Sequence, residues 1–374
     1  MIKRVLIISL KFAPVHNAHC RAIAQPFENA GMDVRYFITK SAEWLVPTDQ
    51  LGKTSFAGRS ENYRQVILES LMTSCRVRKN EMNYVETFNP DLVIFESPHP
   101  NNEQYARWIR RRNTSVKIWV WLHEPYVANK EGHSWKARVL LLIHETFTRR
   151  LLKIVDAVLV SSAEGEKRLR LGYPWYRKKI IKIPLIFEDR KKEGAKRRYF
   201  TYVGNAVYSR GIDRFWKLIE FAERKGVEFD FQIITGDRIE ESLRSVSVAV
   251  KRRLKVISGD KITDEQIDDA IRESWAVLCP FRTITQSGVT PIAYMHGTPL
   301  ISSAVGGMSE QIREGETGFL LPEDAHFEIW IERMEKARAD HSVLERRCRA
   351  EFELTFDARN AGCYLNEFLK VDST

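Results

Sequence analysis

Short apolar runs, separated by longer stretches of mixed polarity, set the rhythm of this chain. Val5–Leu10 is apolar at almost every position, as expected of a strand buried on both faces. Val34–Ile38, Asp91–Phe95, Val116–Leu122, Ala157–Ser161 and Ile180–Pro184 repeat the pattern. Between them, helical spacing predicts helices over Ala18–Ala30, Arg138–Ile154 and Ala163–Leu171, the first closed by Gly31 as a C-cap. Strand and helix in alternation predict a mostly parallel sheet with helices on both faces. Phe187–Arg198 (FEDRKKEGAKRR) is charged and nearly devoid of apolar residues, so it reads as a linker or surface loop. A second alternating series follows. Strands are expected at Phe200–Val203, Phe229–Ile234, Lys255–Ser258 and Ala276–Leu278, with another starting at Leu300. Helices are expected over Arg214–Arg224, Thr263–Glu273 and Val289–His296. Thr263 and Gln266 have the spacing of a capping box. From Phe327 onward the chain reads as mostly helical. The expectation is an α/β protein with two doubly wound, Rossmann-like domains, 1–190 and 195–355. Ligands in such sheets sit beyond the C-terminal strand ends, here in a cleft between the domains.

Charge adds an asymmetry that the pattern does not show. The chain has 374 residues and a net charge of +10, but residues 101–200 alone hold 24 Lys and Arg against 10 Asp and Glu. A bias of this kind suits an anionic partner such as a membrane surface or a lipid-linked phosphate. The bland alternative is a solvated basic face. No zinc-finger or RNA-binding motif points to nucleic acid. No apolar run approaches the roughly 18 residues that would cross a membrane. The N-terminal apolar run is interrupted at Lys11 and reads as a buried strand rather than a signal peptide. Five cysteines without paired metal-ligand spacing fit a reduced, cytoplasmic protein, peripheral on the inner face of the plasma membrane if the basic face meets lipid.

The richest stretch is Trp275–Pro322, read as strand, polar turn, helix, strand, Gly-Gly turn, helix, strand. The turn Thr283–Gly288 precedes a helix, where free N–H groups and the helix dipole favour a phosphate. Gly297-Thr298-Pro299-Leu300-Ile301, Val305-Gly306-Gly307, Glu310 and Gly315–Pro322 resemble, in order and spacing, the donor-binding half of the GT-B glycosyltransferases of family 4. Tyr202–Asp213 (YVGNAVYSRGID) and Phe231–Asp237 (FQIITGD) extend the resemblance. Pro90–Ser97, Trp121–Tyr126 and Asp156–Leu169 match more loosely, and Phe356–Phe368 resembles the family's last helix, with 356–374 crossing back onto the first domain.

The resemblance implies site residues one by one. Arg210 stands where the family has a Lys that binds the donor diphosphate, and Asn205, after Gly204, replaces an Arg with that role. Gly236 falls in the matching glycine of the next motif. Two family Glu residues correspond to Ile284 and Ile292, so both carboxylates are missing. A branch with Thr285-Gln286-Ser287-Gly288-Val289-Thr290 in this place is closer. There the backbone N–H groups of Ser287, Gly288 and Val289 receive the distal phosphate, and Gln286 reaches toward the sugar. His123 ends an apolar strand and resembles a histidine that contacts the sugar near the acceptor. An imidazole there can bond a hydroxyl and tune the reaction centre. His16 and Asn17, in a loop Phe12–Cys20 where relatives carry Gly-Gly, are candidate contacts, as are Glu96 and Glu124.

The implied activity is transfer of a sugar from a nucleotide-diphosphate sugar to a glycan or glycolipid acceptor, with retention. The leaving diphosphate would be stabilised electrostatically rather than by metal, and no cofactor is expected. A non-catalytic subunit of this fold and a sugar-nucleotide 2-epimerase are the alternatives.

Overall fold

A computed structural model describes residues 2–10, 14–57, 79–127, 135–192, 194–244, 246–259, 262–362 and 364. The chain divides into two compact units: Met1–Glu188 with Ala358–Thr374, and Asp189–Asp357.

The first unit is built on a seven-stranded sheet ordered β3-β2-β1-β4-β5-β6-β7. The strands are β1 (Arg4–Ser9), β2 (Asp33–Thr39), β3 (Thr54–Ala57), β4 (Leu92–Phe95), β5 (Lys117–Trp121), β6 (Ala157–Val160) and β7 (Lys179–Lys182). Every described pairing is parallel. The apolar runs are continuous because both faces are covered. Leu6 and Ile8, Val93 and Phe95, and Ile118 and Val120 enter one core. Their alternating neighbours Val5 and Ile7, Leu92 and Ile94, and Trp119 and Trp121 enter the other. Helix α1 (Pro14–Asn29) packs on the second face through Cys20, Ile23, Ala24 and Phe27. The helix Asn102–Arg112 packs on the first through Tyr105, Ala106 and Ile109.

Helix α1 begins four residues earlier than its spacing predicted, so His16 and Asn17 lie in its first turn and not in a loop. Pro14 explains the early start, since its fixed φ and missing N–H suit the first helical position. Phe12 and Ala13 lie outside the described residues, as do the side chains of His16 and Asn17. So do Cys75, Cys363 and most of 356–374. What is described of that tail joins the first unit: Ala358 N–H donates to Phe187 O at 2.9 Å, and Ala358 and Ala361 pack on Ala22 and Ile186.

The second unit has a six-stranded sheet ordered β10-β9-β8-β11-β12-β13. These are β8 (Tyr199–Val203), β9 (Asp230–Thr235), β10 (Leu254–Ser258), β11 (Ser274–Cys279), β12 (Leu300–Ser303) and β13 (Gly318–Leu321). All described pairings are again parallel. Phe200, Tyr202, Phe231, Ile233, Ala276 and Leu278 fill one core with Phe215, Leu218 and Ile219 of the helix Ile212–Arg224. Thr263 caps the helix Asp264–Arg272 in the expected capping box with Gln266. Numbered within each unit, both sheets run 3-2-1-4-5-6, the Rossmann order, with the first unit adding one strand at its edge.

The boundary between the two units falls in the segment 187–198, but two of its cations are not the solvated charges its composition suggests. Arg190 meets Asp268 through Nε at 3.1 Å and Nη2 at 3.2 Å. The Arg197 side chain is only 8% exposed and donates to Ser274 O at 2.7 Å and His296 O at 2.9 Å. These cations satisfy carbonyls and a carboxylate inside the second unit, where low polarity makes each bond matter more than at a surface.

Candidate active site

In an open parallel sheet, the crevice opens where successive strands send their helices to opposite faces. In the first unit this happens between β1 and β4, since α1 and the helix Asn102–Arg112 lie on opposite cores. Ser9 ends β1, Glu96 follows β4, His19 sits on α1 and His123 lies just past β5. All four converge. The Glu96 carboxylate is fully buried; Ser9 Oγ donates to its Oε2 at 3.1 Å. Its Oε1 lies 3.2 Å from His19 Nδ1 and 3.0 Å from His123 Nε2. His123 Nε2 is also 3.0 Å from the Glu96 backbone oxygen. His19 meets Trp121 edge-on at 4.6 Å, and Trp121 stacks with His123 at 6.0 Å. Three ligand-type atoms of His19, Glu96 and His123 lie within 4.8 Å of one another, the one such group among the described residues. Glu124, next to the half-buried His123, is exposed. Buried as it is, Glu96 meets its neighbours' side chains rather than presenting itself as a surface contact.

In the second unit the switch point falls between β8 and β11. The turn after β11 runs past Pro280 to the helix Val289–Met295. Glycines let other backbone close on it from two sides. A Cβ on Gly211, whose φ is +72°, would sit 1.8 Å from Pro280 O. A Cβ on Gly307 would sit 1.8 Å from Thr285 O. Three arginines hold the turn's first residues. Arg282 pairs bidentately with Asp213 at 2.6 and 2.8 Å and lies over the Tyr208 ring at 3.8 Å. Arg214 donates to Phe281 O and Arg210 to Thr283 O, both at 3.3 Å. Burial alone would raise the Asp213 carboxyl, but hydrogen bonds from Arg282 outweigh it and hold it below the usual Asp range.

Gln311 clamps the centre of the turn, accepting from Ser287 N–H at 2.9 Å and donating to Ser287 O at 3.1 Å. Val289 N–H donates to Ser287 Oγ at 3.3 Å. Two of the three N–H groups that the resemblance assigns to a phosphate, those of Ser287 and Val289, thus have protein partners in this structure. Thr285, Gln286 and Thr290 are buried, and Thr290 Oγ1 has no hydrogen-bond partner among the described residues. Ile284 and Ile292, at the two family Glu positions, are buried too. At the end of β8, Gly204 has φ +112° and its N–H extends the ladder to Ile234 O at 3.0 Å. Asn205 is exposed and its backbone oxygen accepts from Tyr202 Oη at 2.6 Å. Asp237, beside Gly236 past β9, accepts from Ala206 N–H at 2.7 Å and braces that turn.

Gln311, Arg282 and Asp237 escaped the sequence reading. Gln311 and Arg282 each sit one or two residues from a quoted motif residue, but which backbone atom they hold depends on elements far apart in sequence.

With the geometry in place, comparison with known proteins becomes informative. Residues 197–340 match the family described as glycosyl transferases group 1. That match covers most of the second unit, and the chain has the GT-B fold of two Rossmann-like units. Similar solved structures span the whole chain. Sucrose-phosphate synthase from Thermosynechococcus elongatus is 16% identical with a TM-score of 0.70, covering 98% of each chain. The lipopolysaccharide outer core galactosyltransferase WaaB is 15% identical with a TM-score of 0.64, over 98% of this chain and 99% of its own. Anabaena HepE in complex with UDP-glucose is 12% identical with a TM-score of 0.69, over the same shares. A search of curated proteins gives no match.

Proposed function

We propose that this protein transfers a sugar from a nucleotide-diphosphate sugar to a hydroxyl acceptor, with retention of anomeric configuration. One observation carries the reading. A turn in the segment that matches group 1 glycosyltransferases is clamped at the β8/β11 switch point, beside Arg210 and with the buried Thr290 Oγ1 lacking a hydrogen-bond partner among the described residues. An unmade buried hydrogen bond costs about 1–3 kcal/mol, which a ligand atom can relieve.

In this reading the diphosphate binds along Gly204, Asn205, Gly236 and the turn 285–290. Arg210 uses one of its five N–H donors on Thr283 O and turns others to the phosphates. Charge builds on the leaving diphosphate as the glycosidic bond breaks, and a fixed cation there lowers the barrier without reorganising. The departing diphosphate oxygen takes the acceptor proton. His123 bonds a sugar or acceptor hydroxyl. Similar structures solved in complex with UDP and with UDP-glucose make a uridine nucleotide the first to try.

We also propose an acceptor met at an anionic lipid surface. On the helix Trp135–Leu152, Trp135 is 72% and Leu142 54% exposed, with Val139, Leu140 and the cations Arg138, Arg149 and Arg150 also exposed. Apolar and basic residues shown together suit a membrane interface. Among the described residues no helix is long and apolar enough to cross a membrane.

A thermal-shift panel with UDP, GDP, ADP and their sugars tests the donor site. A shift with one nucleotide, weakened about 10- to 150-fold in apparent affinity by Arg210→Ala, is the expected result. No shift with any nucleotide would favour a non-catalytic GT-B subunit, a reading the buried Ile284 and Ile292 keep in view.

A further inference from the structure

The first unit has a second concave place, at the other edge of its sheet. The helices Lys79–Phe88 and Asn102–Arg112 both end there, and a cleft of about 250 Å³ opens between their ends. Pro90 stands ahead of β4 and Glu96 after it, so the cleft lies roughly 20 Å along the strand from the Glu96 cluster. Buried Val85, Pro90 and Ile109 and the half-buried Trp108 give it an apolar lining. Two amides and an ion pair complete it. Asn89 is the one non-glycine residue with positive φ among the described residues, at +47°. Glycine meets such a backbone at no steric cost, so what asparagine adds is its amide. Ser115 donates to Asn113 Oδ1 from its N–H at 3.0 Å and from Oγ at 2.7 Å, and Asn113 Nδ2 donates to Asn89 Oδ1 at 3.3 Å. Both amides are thereby oriented, and the Asn89 NH2 has no hydrogen-bond partner among the described residues. Arg112 Nε lies 3.5 Å from Glu86 Oε1, and its guanidinium carbon lies 5.6 Å from the centre of the Trp108 ring. With side chains 67% and 41% exposed, this pair contributes little and yields readily to a ligand.

An aromatic side chain, an oriented amide and a donor beside an acceptor suit one ligand chemistry. A sugar ring offers C–H faces to the aromatic and hydroxyls that both donate and accept. The last carbonyls of each helix lack partners inside the helix and can accept from such hydroxyls. A phosphate or an acidic sugar fits less well, because the charges of Arg112 and Glu86 cancel and helix C-termini disfavour anions. We propose that this cleft is a second glycan-binding site, taking one neutral sugar unit of a chain whose reacting end lies elsewhere. That the chain is an acceptor rests on the glycosyltransferase reading; that it binds here does not. A chain held by one unit stays close to the enzyme, so long acceptors work at lower concentration than short ones.

The test follows the indole N–H signal of Trp108 in the 15N-labelled full chain, assigned by its loss in Trp108→Phe. The probes are maltohexaose, mannohexaose and chitohexaose, with hexagalacturonate and adenosine beside them. At least one neutral hexasaccharide is expected to shift the signal saturably. Asn89→Gly keeps the backbone conformation and removes the amide, so it should weaken that binding about three- to tenfold. Calorimetry with the same sugar should show a loss of about tenfold or more in Trp108→Ala. No shift with any neutral hexasaccharide would overturn the proposal, as would a titration unchanged in Asn89→Gly. So would a shift caused only by adenosine or by the acidic chain. In turnover, Asn89→Gly should raise KM for a hexasaccharide acceptor three- to tenfold more than KM for a monosaccharide acceptor. Hexasaccharide binding without transfer from any nucleotide sugar would keep this site and sink the functional reading. Transfer without a Trp108 shift would do the reverse.

Discussion

At the scale of single residues, the turn after β11 is defined by what is missing as much as by what is present. Gly307 has no side chain, so Thr285 O can occupy the place of a Cβ, and Gly211 does the same for Pro280 O. Gly307→Ala must push the turn aside. Overpacking of this kind costs about 1–3 kcal/mol, and nucleotide-induced thermal shift should be lost while the far-ultraviolet circular dichroism is kept. The Asp213–Arg282 pair adds a pH dependence. Its carboxyl is held below the ordinary Asp value, so the folded state binds fewer protons than the unfolded chain as acid is added. Its stabilisation is complete above the ordinary Asp range, near pH 4, and is lost as pH falls through the lowered folded value. Asp268 shifts the same way: burial opposes ionisation, and hydrogen bonds from His296 and Arg190 overcome it. Melting temperature should therefore fall as pH drops from about 4 toward 2, and Asp213→Asn should be less stable at pH 7 but fall less steeply in acid. A variant whose acid limb matches the wild type would show that the pair contributes nothing. Asp268→Asn, which takes the charge from the carboxylate that Arg190 meets and leaves it Asp264 at 3.5 Å, should cost about 1–3 kcal/mol in a urea melt.

At the scale of elements, the sequence was legible wherever burial is two-sided. β1, β4, β5 and β6 appear as bare apolar runs because each residue meets one core or the other, and their extents differ from the pattern by a residue or so. β3 was not visible in the sequence, for it is a short edge strand and only Ala57 of its four residues is buried. Segment 189–198 misleads in the opposite direction. Its charge looks like solvent exposure, yet Arg197 and Arg190 are half-buried, each matched to partners 70 or more residues away. Composition does not reveal a charge's partner. The candidate site divides the same way. Arg210, His123 and the 285–290 turn could be read from spacing and resemblance, whereas the Glu96 cluster needed β1, α1, β4 and β5 brought together.

At the scale of the molecule, chemistry is unevenly shared. The family match lies within the second unit, and the basic surplus and exposed apolar helix face lie in the first. If that face meets lipid, the protein should sediment with vesicles containing phosphatidylserine, less with neutral ones, and less as salt rises. Trp135→Ser with Leu142→Ser should lower partitioning about tenfold or more while leaving the nucleotide thermal shift intact. Equal binding by the variant, or none by the wild type, would remove the lipid surface from the account.

The first unit is written in the chain in two instalments. Ala358 and Ala361, which close over Ala22 and Ile186, emerge from the ribosome 170 or more residues after Phe187. At about 5–20 residues per second, the patch around Ala22 waits roughly 10–30 s for its cover. During that interval the nascent chain carries an unfinished first unit while it synthesises the second. Translation speed through 189–357, and chaperones able to shield one small apolar patch, thus bear on the yield of active protein.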